Sequence, residues 1–195
     1  MINNMDVIKR IKSIQRFLET NNLDGFIQPR SDSYLGEYVP LSDSRLEWIS
    51  GFSGSAGEIL IMRNTAILFV DSRYTIQAIN ETINTNIKVV LSSEESLTDY
   101  IENNLKKLKN IAFDPWLHSL SKIKFLLNIG KKNNLIFTSL KQNPIDLIWV
   151  SNREAAPKTK IKKHIKKYSG ISASIKIKKL CLILKSFNAD SYIIS

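Results

Sequence analysis

The chain has 195 residues, of which 43% are hydrophobic and 24% are charged. This composition is ordinary for a globular protein and leaves room for one domain plus a fragment. No apolar run approaches the ~20 residues that a membrane-spanning helix needs, and the N-terminus lacks the pattern of a secretory signal. The single cysteine excludes an internal disulfide. We therefore expect a cytoplasmic protein without membrane association.

The formal net charge of +10 is concentrated towards the C-terminus. Residues 151–195 hold 11 of the 28 basic residues and 2 of the 18 acidic residues. A basic segment of this kind is a candidate for binding nucleic acid or an anionic surface. We do not favour nucleic acid, because no series of aromatic side chains interleaves with the lysines. Solvated helix faces account for the lysines more simply.

The N-terminal part predicts a helix, a strand and a second short helix. The first helix covers 6–20, and its apolar face consists of Val7, Ile11, Ile14 and Leu18. A strand follows over 23–28, and after a polar loop a short helix ends near Ile49.

The stretch 51–74 organises the rest of the chain. Three glycines at three-residue intervals, Gly51, Gly54 and Gly57, precede two apolar runs over 59–62 and 66–70. Glycine has no Cβ, so such a loop can pass close to other groups. The two runs, joined by a short polar turn, predict an antiparallel hairpin.

The hairpin is followed by alternating helices and strands. Asp71 is a good N-cap for a helix that carries Ile76, Ile79 and Ile83 at helical spacing. Further helices are predicted after Ser93 and after Ser119, the latter with Leu120, Ile123 and Leu127. Strands are predicted over 87–91, 111–113 and 135–138. The pattern predicts an α/β domain whose mixed β-sheet is flanked by helices.

We divide the chain into a first domain over 1–142, a connecting helix and linker over 143–160, and a segment over 161–195. In the last segment Ser172 starts a helix with one apolar stripe, formed by Ile177, Leu180, Leu184 and Phe187. A strand pattern over 192–195 follows. One helix and one strand cannot bury a core, so we read 161–195 as the incomplete start of a second α/β domain.

No catalytic or metal-ligating set is predicted. His118 and His164 lack a second histidine or a carboxylate pair at ligand spacing, and we interpret both as surface or helix-end residues. Ser53 and Ser55 do not lie in a strand–GxSxG–helix turn. Cys181 falls in an apolar helix, where we expect it to pack.

Several motifs resemble one known family. The string SGFSGSAG, followed by DSRY and a Gln-Ala pair, resembles the N-terminal domain of the Xaa-Pro aminopeptidases, which belong to the creatinase and prolidase group of metallopeptidases. The likeness runs from Tyr34 through Phe113-Asp114-Pro115 and the segment 143–149 to Tyr168-Ser169-Gly170. It therefore covers nearly the whole chain in order.

The resemblance implies a creatinase N-terminal-like fold and a non-catalytic part of a longer enzyme. That enzyme removes the residue before proline, with two divalent metal ions, typically manganese, in a domain that this chain lacks. We therefore read the chain as a truncated or split fragment, inactive alone and without a cofactor of its own. As partners the resemblance suggests a second copy in a homodimer or a separately encoded catalytic domain, and a peptide substrate only in the intact enzyme.

Arg73 is the predicted substrate-binding residue. The family associates the arginine of D-x-R-Y with peptide binding, and the motif is present as Asp71, Arg73 and Tyr74, with Gly51, Gly54 and Gly57 as the supporting loop. A pairing of Arg73 with a neighbouring carboxylate for stability stays equally open. Two other functions also stay open: a stand-alone peptide-binding module, and a binder of nucleic acid or anionic surfaces through 158–179.

Overall fold

The computed structural model describes residues 4–104 and 108–192. The chain divides into two compact units, Met1–Ala156 and Pro157–Ser195. The strands of the first unit are β1 (Gly25–Pro29), β2 (Gly57–Met62), β3 (Ala66–Val70), β4 (Ile87–Leu91), β5 (Asn110–Phe113) and β6 (Ile136–Ser139). Its helices are α1 (Asn4–Thr20), α2 (Arg45–Ser50), α3 (Thr75–Glu81), α4 (Leu97–Asn103), α5 (Leu120–Asn133) and α6 (Pro144–Ile148).

The six strands form one mixed sheet in the order β4-β3-β2-β1-β5-β6. β2 pairs antiparallel with both β1 and β3, whereas β4, β5 and β6 each run parallel to their neighbours. In the hairpin, Ile59 lies opposite Leu68 and Ile61 lies opposite Ala66. The predicted hairpin and the predicted mixed sheet are therefore confirmed.

Both faces of the sheet are covered, which explains why its strands read as continuous apolar runs. Successive side chains of a strand point to opposite faces, so Phe26 joins one core cluster and Ile27 joins the other. The first cluster includes the apolar face of α1, together with Ile145 of α6 and Trp149. The second includes residues of α4 and α5.

Helix α3 is oriented differently from what its isoleucines suggested. Ile76, Ile79 and Ile83 are 77%, 51% and 58% exposed, and the buried residue of this helix is Ala78. The opposite side of α3 is held to the glycine loop by two hydrogen bonds: the Gln77 amide donates to Ser53 Oγ, and the Glu81 carboxylate accepts the N–H of Ser53. These bonds, together with the packing of Ala78, leave the isoleucine stripe in solvent.

Other helix predictions were wrong in detail. The cap of α4 is Ser96 and not Ser93, and it forms a capping box with Asp99. Ser119 does cap α5, but Leu120 and Leu127 are exposed. The side of α5 that faces the sheet is formed by Leu126, Ile129 and Gly130.

The second unit contains two helices among its described residues, α7 (Lys166–Ser169) and α8 (Ala173–Ser186). Ser172 caps α8 as predicted. None of the described residues of this unit is buried: Ile177 and Phe187 are 61% and 77% exposed. Cys181 is exposed too, so its predicted packing is wrong. Of the predicted strand, residues 193–195 lie outside the described residues.

No described helix is both long enough and apolar enough to cross a membrane.

Candidate functional site

The glycine loop is built around the buried ring of Phe52. Gly51 ends α2 in the left-handed conformation (φ 81°), and its N–H donates to the carbonyl of Glu47 at 2.7 Å. Gly54 and Gly57 then let the backbone pass the ring, because a Cβ on Gly54 would lie 2.1 Å from Phe52 Cζ. A Cβ on Gly57 would lie 3.0 Å from the carbonyl oxygen of Phe69. The loop therefore needs glycine for close packing.

Tyr74 joins this loop to the turn that follows the hairpin. Its hydroxyl lies 2.6 Å from Ser55 Oγ, and its ring packs edge-on against Phe52 with centroids 5.8 Å apart. The turn itself begins at Asp71, whose carboxylate accepts the N–H of Arg73 at 2.9 Å. Asp71 therefore caps a 3-10 turn over Ser72–Tyr74 that precedes α3.

A second link ties the loop to α3. The hydroxyl of Ser53 donates to Glu81 Oε1 at 2.6 Å, and its N–H donates to Glu81 Oε2 at 2.9 Å. The Gln77 amide donates to Ser53 Oγ at 2.9 Å. The role of Glu81 could not be predicted from the sequence, because 28 residues separate it from Ser53. With no histidine in this set, the geometry is that of a structural brace.

Arg73 forms an exposed ion pair with Asp71. Its Nη2 lies 2.6 Å from Asp71 Oδ2, and its Nε lies 3.2 and 3.1 Å from the two carboxylate oxygens. Hydrogen bonding to Arg73 lowers the pKa of Asp71, and the same interaction raises the pKa of Arg73. The side chain of Arg73 is 71% exposed, so this pair adds little to stability.

The guanidinium keeps donors for a further ligand. Among the described residues no protein acceptor bonds to Nη1 of Arg73, and its Cζ lies 5.4 Å from the ring centre of Tyr74. Beside Asp71 a shallow cleft of about 240 Å³ is lined also by Gly57, Glu58 and Ser92. Of the predicted residues, Gly57 and Asp71 line this cleft, Arg73 pairs with Asp71, and Gly54 is buried against Phe52 and Tyr74. Gly51 lies beside Glu81.

The described residues do not fit a metal centre. They contain no group of three or more His, Cys, Asp or Glu side chains that could hold an ion. His118 ends the 3-10 turn over Pro115–Leu117, as a helix-end residue, but it is buried rather than on the surface and packs edge-on against Phe113. Burial, helped by the positive charge of Lys122, lowers its pKa from 6.5 to about 4. It is therefore a neutral core residue.

An ion cluster that the sequence did not predict surrounds the buried Arg45 at the start of α2, and its other members are partly exposed. Arg45 is 7% exposed and binds Asp146 with two bonds, of 2.8 and 3.1 Å. It also donates to Asp43 at 2.9 Å, while Arg153 donates to Asp146 at 2.7 Å. Burial opposes the charge, but the two carboxylates outweigh it and raise the pKa of Arg45. The bonds between Arg45 of α2 and Asp146 of α6, which are 101 positions apart in the sequence, hold the two helices together.

Together the mixed sheet, the glycine loop and the D-x-R-Y turn define an N-terminal domain of the creatinase and prolidase type. The family model described as "Creatinase/Prolidase N-terminal domain" matches residues 10–155. The chain belongs to this family.

Relatives extend the match to nearly the full chain. A probable Xaa-Pro aminopeptidase P of Aspergillus flavus is 32% identical over 190 residues, which are 96% of this chain and 29% of that protein. The corresponding protein of Penicillium rubens is 30% identical over 194 residues, 98% of this chain and 32% of its own length. The chain therefore spans about a third of the length of the relatives it matches.

Solved structures share the fold. An X-prolyl aminopeptidase from Caenorhabditis elegans, described as a cytosolic enzyme with a di-nuclear active site, superposes with a TM-score of 0.75 at 22% identity. The superposition covers 97% of this chain and 32% of that one. The N-terminal domain of the cytoplasmic peptidase PepQ from Mycobacterium tuberculosis covers 72% of this chain, and 98% of its own, with a TM-score of 0.54 at 17% identity.

Proposed function

We propose that this chain is the non-catalytic N-terminal portion of an Xaa-Pro aminopeptidase and acts in peptide cleavage only together with a catalytic part. The observation that carries the proposal is the coverage: 96–98% of the chain aligns with only 29–32% of Xaa-Pro aminopeptidase P relatives. The two divalent metal ions, typically manganese, belong to the catalytic part. This agrees with the absence of a candidate ligand group among the described residues here.

The proposal includes the domain division, the setting and the partners. Residues 1–142 form the family domain, 143–160 connect it, and 161–195 begin a second domain. The setting is the cytoplasm. The proposed partners are a second copy of the chain in a homodimer and a separately encoded catalytic domain that associates with it. A peptide substrate is bound only in the intact enzyme.

Arg73 is the residue we propose to contact the peptide. Its guanidinium is exposed, is oriented by Asp71 and keeps Nη1 for an additional acceptor. Such a group binds a peptide carbonyl or carboxylate by charge-assisted hydrogen bonds. Its pairing with Asp71 is compatible with this role, because the pair pre-orients the guanidinium rather than consuming all its donors.

A chimera tests the proposal. Residues 1–195 replace the aligned 190-residue region of the Aspergillus flavus relative, and cleavage of an Xaa-Pro peptide is measured with manganese. We expect the chimera to be active, and the same relative without its N-terminal region to be inactive. A chimera that is folded by circular dichroism and cleaves no better than the deleted protein would contradict the proposal.

Variants of the chimera test Arg73. Arg73→Ala should lower kcat/KM by about tenfold, the loss of one charge-assisted contact, and Arg73→Lys should restore part of it. Arg63→Ala is the matched control, because Arg63 is a partly exposed arginine on the turn of the hairpin and pairs with Asp24. Equal losses for Arg63→Ala and Arg73→Ala would show that Arg73 has no special contact.

A further inference from the structure

Strand β6 is an open edge of the sheet. Among the strands that the structure describes, it is the last one and pairs with β5 alone. The N–H of Ile136 donates to the carbonyl of Lys109, just before β5, at 2.8 Å, and the N–H of Leu140 donates to the carbonyl of Phe113 in β5 at 2.9 Å. Because alternate residues of a parallel strand bond to the same neighbour, the backbone groups of Phe137 and Ser139 point away from β5. An edge of this kind is a template for another extended chain.

A groove of about 580 Å³ follows this edge between β6 and the second half of α5. Leu127 and Phe137 line it on the α5 side of the sheet, and Ile136 of β6 borders it. Ile136 is 61% exposed and Leu127 is 42% exposed. Ile136 therefore leaves apolar surface in solvent directly beside the open strand edge, on the face of the sheet away from α5.

The rim of the groove is basic. Lys124 and Lys131 line it, and none of the nine lining residues is acidic. A second copy of the chain would bring the same lysines together across the edge, and like charges opposite each other are destabilising. A segment with acidic side chains would neutralise them instead. Charge therefore favours an acidic partner over self-association.

The alternation of β6 defines the partner further. Phe137 belongs to the core cluster on the α5 side of the sheet, so Ile136 points to the other side. An added strand with alternating side chains would place acidic groups towards Lys124 and Lys131 and apolar groups beside Ile136.

We propose that β6 and this groove bind an extended peptide segment, about four residues long, in which acidic and apolar residues alternate, as a seventh strand of the sheet. Backbone pairing with Phe137 and Ser139 gives the affinity, and the two lysines give the preference for acidic residues. The site is separate from Arg73, since the cleft beside Asp71 and this groove share no lining residue.

The test uses the full chain and two blocked hexapeptides in which valine alternates with glutamate or with lysine. Amide chemical shifts by NMR locate binding, and titrations at low and high salt measure it. We expect the glutamate peptide to bind, to shift amides of 124–139, and to weaken with salt. We expect the lysine peptide not to bind. No binding of the glutamate peptide, equal binding of both peptides, or shifts confined to the lysine-rich segment 158–179 would overturn the proposal.

Two variants and a control make the test specific. Lys131→Glu should weaken binding at least fivefold. Ser139→Pro should abolish binding, because it removes the N–H of Ser139 that points away from β5. The fold should be kept, since an edge strand tolerates proline where the N–H faces solvent. Lys88→Glu, on the opposite edge strand β4, changes the net charge equally and should leave binding within twofold. Equal weakening by Lys88→Glu would overturn the proposal. So would a dimer of the unliganded chain that Ser139→Pro dissociates, because a second copy would then occupy the edge.

Discussion

The ring of Phe52 occupies the space next to Gly54. A Cβ on Gly54 would lie 2.1 Å from Phe52 Cζ and 2.9 Å from Tyr74 Cδ1. Phe52 is fully buried, and a close-packed interior gives such a ring little room to move. The fold of the loop and the position of Tyr74, next to Arg73, therefore depend on the same glycine.

Gly54→Ala should lower the free energy of unfolding by about 1–3 kcal/mol, the usual cost of forcing extra atoms into a packed core. Urea unfolding measures this change. Gly36→Ala is the control, because its Cβ would meet its nearest atom, a carboxylate oxygen of Asp32, at an ordinary 3.4 Å. Its effect should stay within about 0.5 kcal/mol. Similar losses in the two variants would show that the Phe52 contact does not set the cost.

Asp146→Asn should be strongly destabilising. The substitution removes the negative charge of the carboxylate that accepts two hydrogen bonds from Arg45, and Arg45 is buried. Removing one partner of a buried pair costs about 3 kcal/mol, and Arg45 keeps Asp43. Asp71→Asn provides the contrast, because Asp71 pairs with the exposed Arg73 and Asn is also a good N-cap. Equal unfolding midpoints for the two variants would contradict a stabilising role for this ion cluster.

His118 should make stability depend on pH. Its pKa is about 4 in the folded chain against 6.5 ordinarily, so between these values the unfolded chain binds more protons. Stability is then full above about pH 6.5 and falls as the pH drops towards 4. Between pH 7 and pH 5, His118 should lower the free energy of unfolding by about 2 kcal/mol.

The measurement is the free energy of unfolding across this range, in the wild type and in His118→Leu. The variant is expected to be less stable at pH 7 but to lose about 2 kcal/mol less on acidification. Parallel pH profiles for the two proteins would show that His118 is not held neutral by burial.

Several structural features that depend on residues close together in the sequence were predicted correctly. The hairpin followed from two apolar runs around a polar turn, and the caps at Asp71, Ser119 and Ser172 followed from residue type. The orientation of α3 did not, because Glu81 and Gln77 determine it through bonds to Ser53.

Hydrogen bonds between residues that are far apart in the sequence could not be predicted. Asn143 donates to Gln28 Oε1 at 2.9 Å across 115 positions and to Asp114 Oδ2 at 3.1 Å. The periodicity of each segment carries no information about which buried polar groups meet. For the candidate site, the sequence predicted the D-x-R-Y residues, but the contact of Tyr74 with Ser55 became visible only in three dimensions.

The segment that holds α8 should be the least stable part of the chain. Its described residues are all at least partly exposed, so α8 gains little of the ~1.5–3 kcal/mol that each fully buried large apolar side chain contributes. In hydrogen exchange of a dilute sample, amides of 173–187 should exchange orders of magnitude faster than those of 59–70. Equal protection would mean that a partner or a further contact covers α8.

The proposed role of this chain, as a portion of a longer enzyme that cleaves Xaa-Pro peptides, is tested most directly with the chain alone. The cleavage of an Xaa-Pro peptide by the purified chain is measured with and without manganese, cobalt or zinc. We expect no turnover under any of these conditions, because the described residues offer no group of side chains that could hold a metal ion. Turnover that follows the chain through purification, and that a mock preparation lacks, would contradict it.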